Sequence, residues 1–275
     1  IQPVVVYDTS GVFDIILNAT DTSTTCSDSL TMQININQTP EADFSTSAPV
    51  CPGESISFFN EGGSGQDYSY EWSFGENSVP ATSNAENPTG IFYNTGNEKE
   101  ISFTVRNNFC TNTFIDTISL YPLPVAEAGT DTIICANRSV QIGTPAISGY
   151  SYLWLPQSTL DDKSLAQPIA SPEAEFTTYN LTVTDDSTGC TNTDFINVTM
   201  LPAAEAIAGP DVSICATDSV QIGAGLIEGQ NYYWSPENSV SDFTAPNPLA
   251  SPDTTTTYVL HSSYAGCDTV TDEVK

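Results

Sequence analysis

Basic side chains are nearly missing from this chain. Five Lys and Arg residues (Lys99, Arg106, Arg138, Lys163, Lys275) face 34 acids, for a formal net charge of -29. A surface so one-sided repels nucleic acid and anionic membranes at every approach, which excludes both as partners. Histidine is reduced to His261, too little for a His-based zinc site and a single candidate base for any Ser-His-Asp or Cys-His arrangement. It is expected just after a strand. No run nears the ~20 apolar residues of a membrane-spanning helix. Residues 1–10 offer neither the basic start nor the long apolar core of a secretory signal, so the expectation is a piece of a longer secreted chain. Helical periodicity is absent as well, and what remains is strand-like.

What the chain does have is a rhythm of seven cysteines, at Cys26, Cys51, Cys110, Cys135, Cys190, Cys215 and Cys267, with every second gap identical in length. Such spacing signals tandem modules, and cysteines used this way suit an oxidising, extracytoplasmic compartment. The expected location is therefore extracellular, at the cell surface. High negative charge can also mark disorder, but here apolar and aromatic residues fall in short alternating runs that disordered acidic segments lack.

The repeat is explicit between the segments starting at Pro124 and Ala204. Ile134-Cys135, Ser139-Val-Gln-Ile-Gly143, Tyr152, Trp154, Pro156 and Ala170-Ser-Pro172 recur in the same register as Ile214-Cys215, Ser219-Val-Gln-Ile-Gly223, Tyr232, Trp234, Pro236 and Ala250-Ser-Pro252. Residues 41–122 follow the plan more loosely, and residues 1–40 supply only its back half. The expected domains are 1–40, a C-terminal half-module, then 41–122, 123–201 and 202–275.

Period-2 alternation, as in Ile101-Ser-Phe-Thr-Val105 and Phe195-Ile-Asn-Val-Thr-Met200, is bounded by Gly, Pro, Asn and Asp clusters and reads as short strands. The Ser-Val-Gln-Ile-Gly motif reads as a strand too. Seven or so strands per module, with a Trp between two Cys, give an all-β fold of tandem immunoglobulin-like antiparallel β-sandwiches in an elongated array. Trp72, Trp154 and Trp234 stand at one register, one per module, and are expected in the cores rather than as sugar-stacking platforms.

Two resemblances refine this. Tyr70-Glu-Trp-Ser-Phe-Gly75, Asn87-Pro88, Phe92-Tyr93, Gly96 and the strand from Ile101 to Val105 resemble the PKD domain, with Ser73 in place of the usual Asp and Glu76-Asn77 in place of Asp-Gly. Tyr7, Gly11 and the strand from Val12 to Leu17 resemble the end of the same domain. The last two modules resemble the Ig-like repeats of Bacteroidota surface proteins. That resemblance implies a large adhesin or gliding-type surface protein exported by the type IX route. The Asp-Ser/Thr-apolar tripeptides holding Ser29, Thr117, Thr132, Ser219 and Thr269 resemble the O-glycosylation motif of that phylum.

Disulfide pairing can be approached through strand order. The first Cys of each module precedes strand B and the second follows strand F, so the two sit in turns at opposite ends of a sandwich. A strand of five or six residues spans about 17–20 Å, whereas a disulfide needs Cα atoms within roughly 7 Å. Head-to-tail neighbours bring an A–B turn to an F–G turn. The spacing favours Cys51 with Cys190 and Cys135 with Cys267, leaving Cys26, Cys110 and Cys215 for modules outside these residues. The alternative pairs Cys51 with Cys110, Cys135 with Cys190 and Cys215 with Cys267.

Other chemistry is thin. Asp8-Thr9-Ser10-Gly11 has no second copy to form an aspartic-protease dyad and reads as a turn. The junction acids Glu127, Asp131, Glu205 and Asp211 are candidates for structural calcium, although six to eight oxygens are required and no EF-hand spacing is present; no other cofactor is expected. The sequence reads as a non-enzymatic segment of a disulfide-stiffened adhesive stalk. Its partners are neighbouring repeats of the same longer chain, with surface glycans or other cell-surface proteins at its tip. The competing reading is a set of spacer or carbohydrate-binding modules on a secreted polysaccharide-degrading enzyme.

Overall fold

The computed structural model describes residues 3–275, so the first two residues of the 1–40 segment lie outside it. Every regular element among the described residues is a strand. Contacts divide the chain into two units. One holds residues 1–123 together with the turn Ser187–Cys190, and the other holds Pro124–Asp186 and Thr191–Lys275.

In the first unit, Gly11–Thr20 and Ser27–Ile36 form a ten-residue antiparallel hairpin. Alternation puts Phe13 opposite Ile34, Ile15 opposite Met32 and Leu17 opposite Leu30 on one face. That face is open, with Leu17, Leu30 and Met32 about two-thirds exposed. The rest of the unit is a sandwich. Its larger sheet runs in the order Thr111–Leu120, Asn97–Arg106, Ser69–Ser73, Thr82–Ser83. Phe44–Thr46 paired with Phe58–Asn60, and Ser78–Val79 paired with Phe92–Tyr93, make the opposing layer. Inward positions Ile101, Phe103 and Val105 meet Ile56, Phe58, Trp72 and Phe74 in a fully buried core. Trp72 stacks on Phe103 with centroids 3.8 Å apart.

The second unit repeats the plan twice. Residues 124–200 build a sheet ordered Thr132–Ile134, Thr191–Met200, Phe176–Asp185, Tyr150–Leu155, faced by Val140–Gln141 with Ile169–Ala170. Residues 204–275 build Gln230–Ser235, Tyr258–Tyr264, Val270–Val274, faced by Val220–Gln221 with Leu249–Ala250. Each has its own core around a fully buried Trp, Trp154 or Trp234. All three indole N–H groups donate to a backbone oxygen: Trp72 to Ala85 at 2.9 Å, Trp154 to Leu165 and Trp234 to Ala245 at 3.0 Å. A buried donor left unpaired is expensive, so one bond repeated three times fixes the ring in one pose.

The Gly that ends the Ser-Val-Gln-Ile-Gly motif follows from the same packing. Gly143 and Gly223 have φ of +83° and +82°. A Cβ there would lie 2.1 Å from the Ala166 or Pro246 carbonyl oxygen and 2.9 Å from the Trp ring. Backbone approach, not turn chemistry alone, demands glycine.

The structure departs from the sequence expectation at three places. His261, expected just after a strand, lies inside Tyr258–Tyr264, paired with Tyr233. The strand continues because Thr271 pairs with His261 on the other side. The motif Ser139-Val-Gln-Ile-Gly143 yields only a two-residue strand, Val140–Gln141, since Gly143 turns the chain away. Conversely the last two strands of residues 41–122 and of residues 123–201 reach ten residues, about 33 Å at the usual rise. This is nearly double the span expected from sequence, and it carries the two ends of a sandwich farther out of disulfide reach.

Candidate functional site: the disulfide-linked turns

Four of the seven cysteines are bonded. Cys51 joins Cys190, with Cα atoms 5.5 Å apart and 139 residues of separation. Cys135 joins Cys267, with Cα atoms 5.6 Å apart and 132 residues of separation. Cys26 and Cys215 are exposed free thiols and Cys110 is a half-buried one, so none of the intramodular pairs forms.

Local hydrogen bonding explains the placement. Where the last strand of a sandwich ends, its next residue bonds back to the residue before the first Cys. Tyr121 N donates to Val50 O at 3.0 Å, and Leu201 N donates to Ile134 O at 2.8 Å. Cys51 and Cys135 are thereby held beside the point where the chain leaves the sandwich. The turn between the last two strands is tied to the incoming linker: Asn112 Nδ2 donates to Pro40 O at 3.1 Å, and Asn192 Nδ2 to Pro124 O at 3.0 Å. The second Cys of a module thus stands at the end where the chain enters, and the first where it leaves. Beside the Cys135–Cys267 bond, Arg138 pairs with Asp268 at 2.6 Å, both well exposed. An exposed pair of this kind contributes at most about 1 kcal/mol, so the covalent bond dominates.

The acidic candidates serve the strands. Asp131 accepts from Asn197 through both carboxylate oxygens, at 2.9 and 3.0 Å. Those bonds, the side-chain one first, hold its carboxyl below the usual carboxylate range. Asp211 accepts from Lys275 N at 3.0 Å. Glu127 and Glu205 are exposed. Among the described residues no three or more His, Cys, Asp or Glu side chains gather to hold an ion. Of the tripeptide hydroxyls, Ser29, Thr117, Ser219 and Thr269 are exposed and Thr132 is half-buried in its strand. Sequence reasoning missed the Asn112 and Asn192 tethers. The recurring Cys-Thr-Asn, Cys110-Thr-Asn112 and Cys190-Thr-Asn192, was the signal that could have revealed them.

No protein-family model matches this chain. No curated protein matches it. Solved structures similar to it include the N-terminal eight Ig domains of Down syndrome cell adhesion molecule isoform 1.30.30, at 12% identity and a TM-score of 0.42, covering 98% of this chain and 47% of that one. The titin I-band fragment I67–I69 gives 10% identity and a TM-score of 0.40, covering 86% and 98%. The three N-terminal domains of the bacteriophage RB49 outer capsid protein Hoc give 10% and 0.38, covering 86% and 96%. The chain spans about half the length of the first of these. Its own sheets and cores make it an all-β protein of tandem immunoglobulin-like sandwiches.

Proposed function

We propose that this chain is a load-bearing segment of an extracellular stalk, one stretch of a longer adhesive protein at a cell surface. The observation that carries the reading is the disulfide pattern, in which the exit-side cysteine of one module bonds the entry-side cysteine of the module after it. Cys135 lies inside the loop closed by the first bond and Cys190 inside the loop closed by the second, so the two bonds interlock. Tension then crosses both module junctions through sulfur, and of the three sandwiches only the middle one, between Cys190 and Cys135, lies in its path. Disulfides of this kind belong to an oxidising compartment.

Residues 41–122 make a PKD-like module, 123–201 and 202–275 two Ig-like modules, and 1–40 the closing hairpin of a further PKD-like one. The open apolar face of that hairpin supports its assignment, because Ile101 and Phe103 hold the corresponding places in the next module and are fully buried. The Bacteroidota surface-protein repeats and the type IX export route remain the origin that the sequence motifs favour. O-glycans on the exposed tripeptide hydroxyls fit such a surface.

One observation bears on the carbohydrate-binding reading. Tyr233 and Phe243 are 44% and 39% exposed on an outer sheet face beside His261, as a sugar platform would require. Their rings, however, meet edge-on at 78° with centroids 5.7 Å apart, so they do not offer one flat face for a sugar ring to stack on. The oxidised chain is expected to give no signal on a glycan array. Saturable glycan binding lost in Tyr233→Ala would establish the carbohydrate-binding function instead.

A further inference from the structure

The two disulfides differ in how far a reagent can reach them. Cys135 and Cys267 are both partly exposed, and both line an open groove of about 730 Å³ within the second unit. Ile133, Leu201 and Pro202 of the middle sandwich and Tyr264 of the final one give its walls an apolar character. Cys190, by contrast, is 1% exposed. The Cys51–Cys190 bond therefore presents only Cys51 to solvent, whereas the Cys135–Cys267 bond presents both partners.

Local charge sharpens the contrast. Arg138 N donates to Cys135 O at 3.1 Å, and its guanidinium pairs at 2.6 Å with Asp268, the residue after Cys267. One of the five basic side chains is thus held beside this bond, where it neutralises the carboxylate next in sequence to Cys267. A nearby cation stabilises both an approaching and a departing thiolate. At the other bond the neighbour is an anion, since Glu54 Oε2 accepts from Cys51 N at 3.1 Å. Attack on Cys51 would also release the Cys190 thiolate into a buried site, where desolvation penalises charge.

We propose that Cys135–Cys267 is a thiol-exchange site whose substrate is a low-molecular-weight thiol, and that it opens while Cys51–Cys190 stays closed. A thiolate entering the groove attacks the Cys267 sulfur. The new S–S bond forms as the Cys135–Cys267 bond breaks, and the electron pair leaves on Cys135, whose thiolate then takes a proton from water. Gly266 O, 3.7 Å from the Cys135 sulfur, is placed to accept that S–H. A second thiol attacks the mixed disulfide, so that two thiols are oxidised to one disulfide and the two cysteines are reduced. On the stapled-stalk reading, on which this consequence rests, opening the bond adds the final sandwich to the load path. The taut path then lengthens by about 75 Å at 3.3–3.6 Å per extended residue.

The test blocks the free thiols of the native oxidised chain with iodoacetamide, adds glutathione at millimolar concentration, and traps opened bonds with N-ethylmaleimide over time. The Cys135–Cys267 bond is expected to open about tenfold faster or more than Cys51–Cys190, with Cys135 carrying the label and Cys267 the glutathione. In the denatured chain, where burial and the Arg138–Asp268 pair are lost, the two rates should converge. Arg138→Gln, which leaves the Asp268 carboxylate bare, is expected to slow opening about threefold or more at low salt. Equal rates for the two bonds in the native chain, or earlier opening of Cys51–Cys190, would overturn the proposal. An unchanged rate in Arg138→Gln would overturn the role given to Arg138. Any of these failures would leave the pairing of the cysteines, and the reading built on it, intact.

Discussion

Pulled from its two ends, the oxidised chain is expected to reach full extension far short of the reduced chain, by about 550 Å at 3.3–3.6 Å per extended residue. With both bonds in place, the taut path crosses from Cys51 to Cys190, returns along the chain to Cys135, and crosses to Cys267. Only the stretch between Cys135 and Cys190 then bears load, about a quarter of the span from Cys51 to Cys267. Unfolding either flanking sandwich then adds little length, and unfolding the middle one can add no more than that stretch, which is the property a stalk under tension needs. Bonds confined to single modules would hide a similar total, so a variant separates the schemes. Cys110→Ser/Cys215→Ser is expected to match the parent chain, because neither thiol is bonded. An added length of about 380 Å in that variant, at the same rise per extended residue, would mean that bonds lie within modules.

Replacing Trp234 by Ala is expected to cost about 3–5 kcal/mol, the range for truncating a buried aromatic in a core that closes only partly over the cavity. The loss includes a specific polar penalty, since Ala245 O loses the indole donor at 3.0 Å. It also falls on the module with the smallest cluster of buried side chains, whose core is already open along a groove below Tyr258. Exchange protection should collapse across residues 220–274 while residues 41–122, with a separate core, keep theirs. Because the chain has several cores, the effect has to be read locally by hydrogen exchange rather than from one unfolding midpoint. A local loss under about 1 kcal/mol would show that Trp234 is not the keystone of that core.

The repeat, the all-β class and the Trp cores were legible in the sequence because each depends on local pattern: period-2 alternation, glycine where no Cβ fits, one Trp per module at one register. The limits of that legibility appear where pairing is non-local. Thr132–Ile134 is a strand because residues 198–200, far along the chain, pair with it in parallel, and its own composition does not announce that partner. Likewise the entry and exit ends of a sandwich follow from the ten-residue length of the closing strands and from the Asn192 tether to Pro124, neither of which alternation alone reveals. The disulfide geometry was approachable only because opposite turns of one sandwich cannot meet within the reach of a bond.

The account stands most directly on which cysteines are bonded, and proteolytic mapping under non-reducing conditions, after alkylation of free thiols in the native chain, measures that. The expected result is two crosslinked peptide pairs, Cys51 with Cys190 and Cys135 with Cys267, and three alkylated cysteines, Cys26, Cys110 and Cys215. Recovery of Cys215 crosslinked to Cys267, or of Cys51 crosslinked to Cys110, would contradict it.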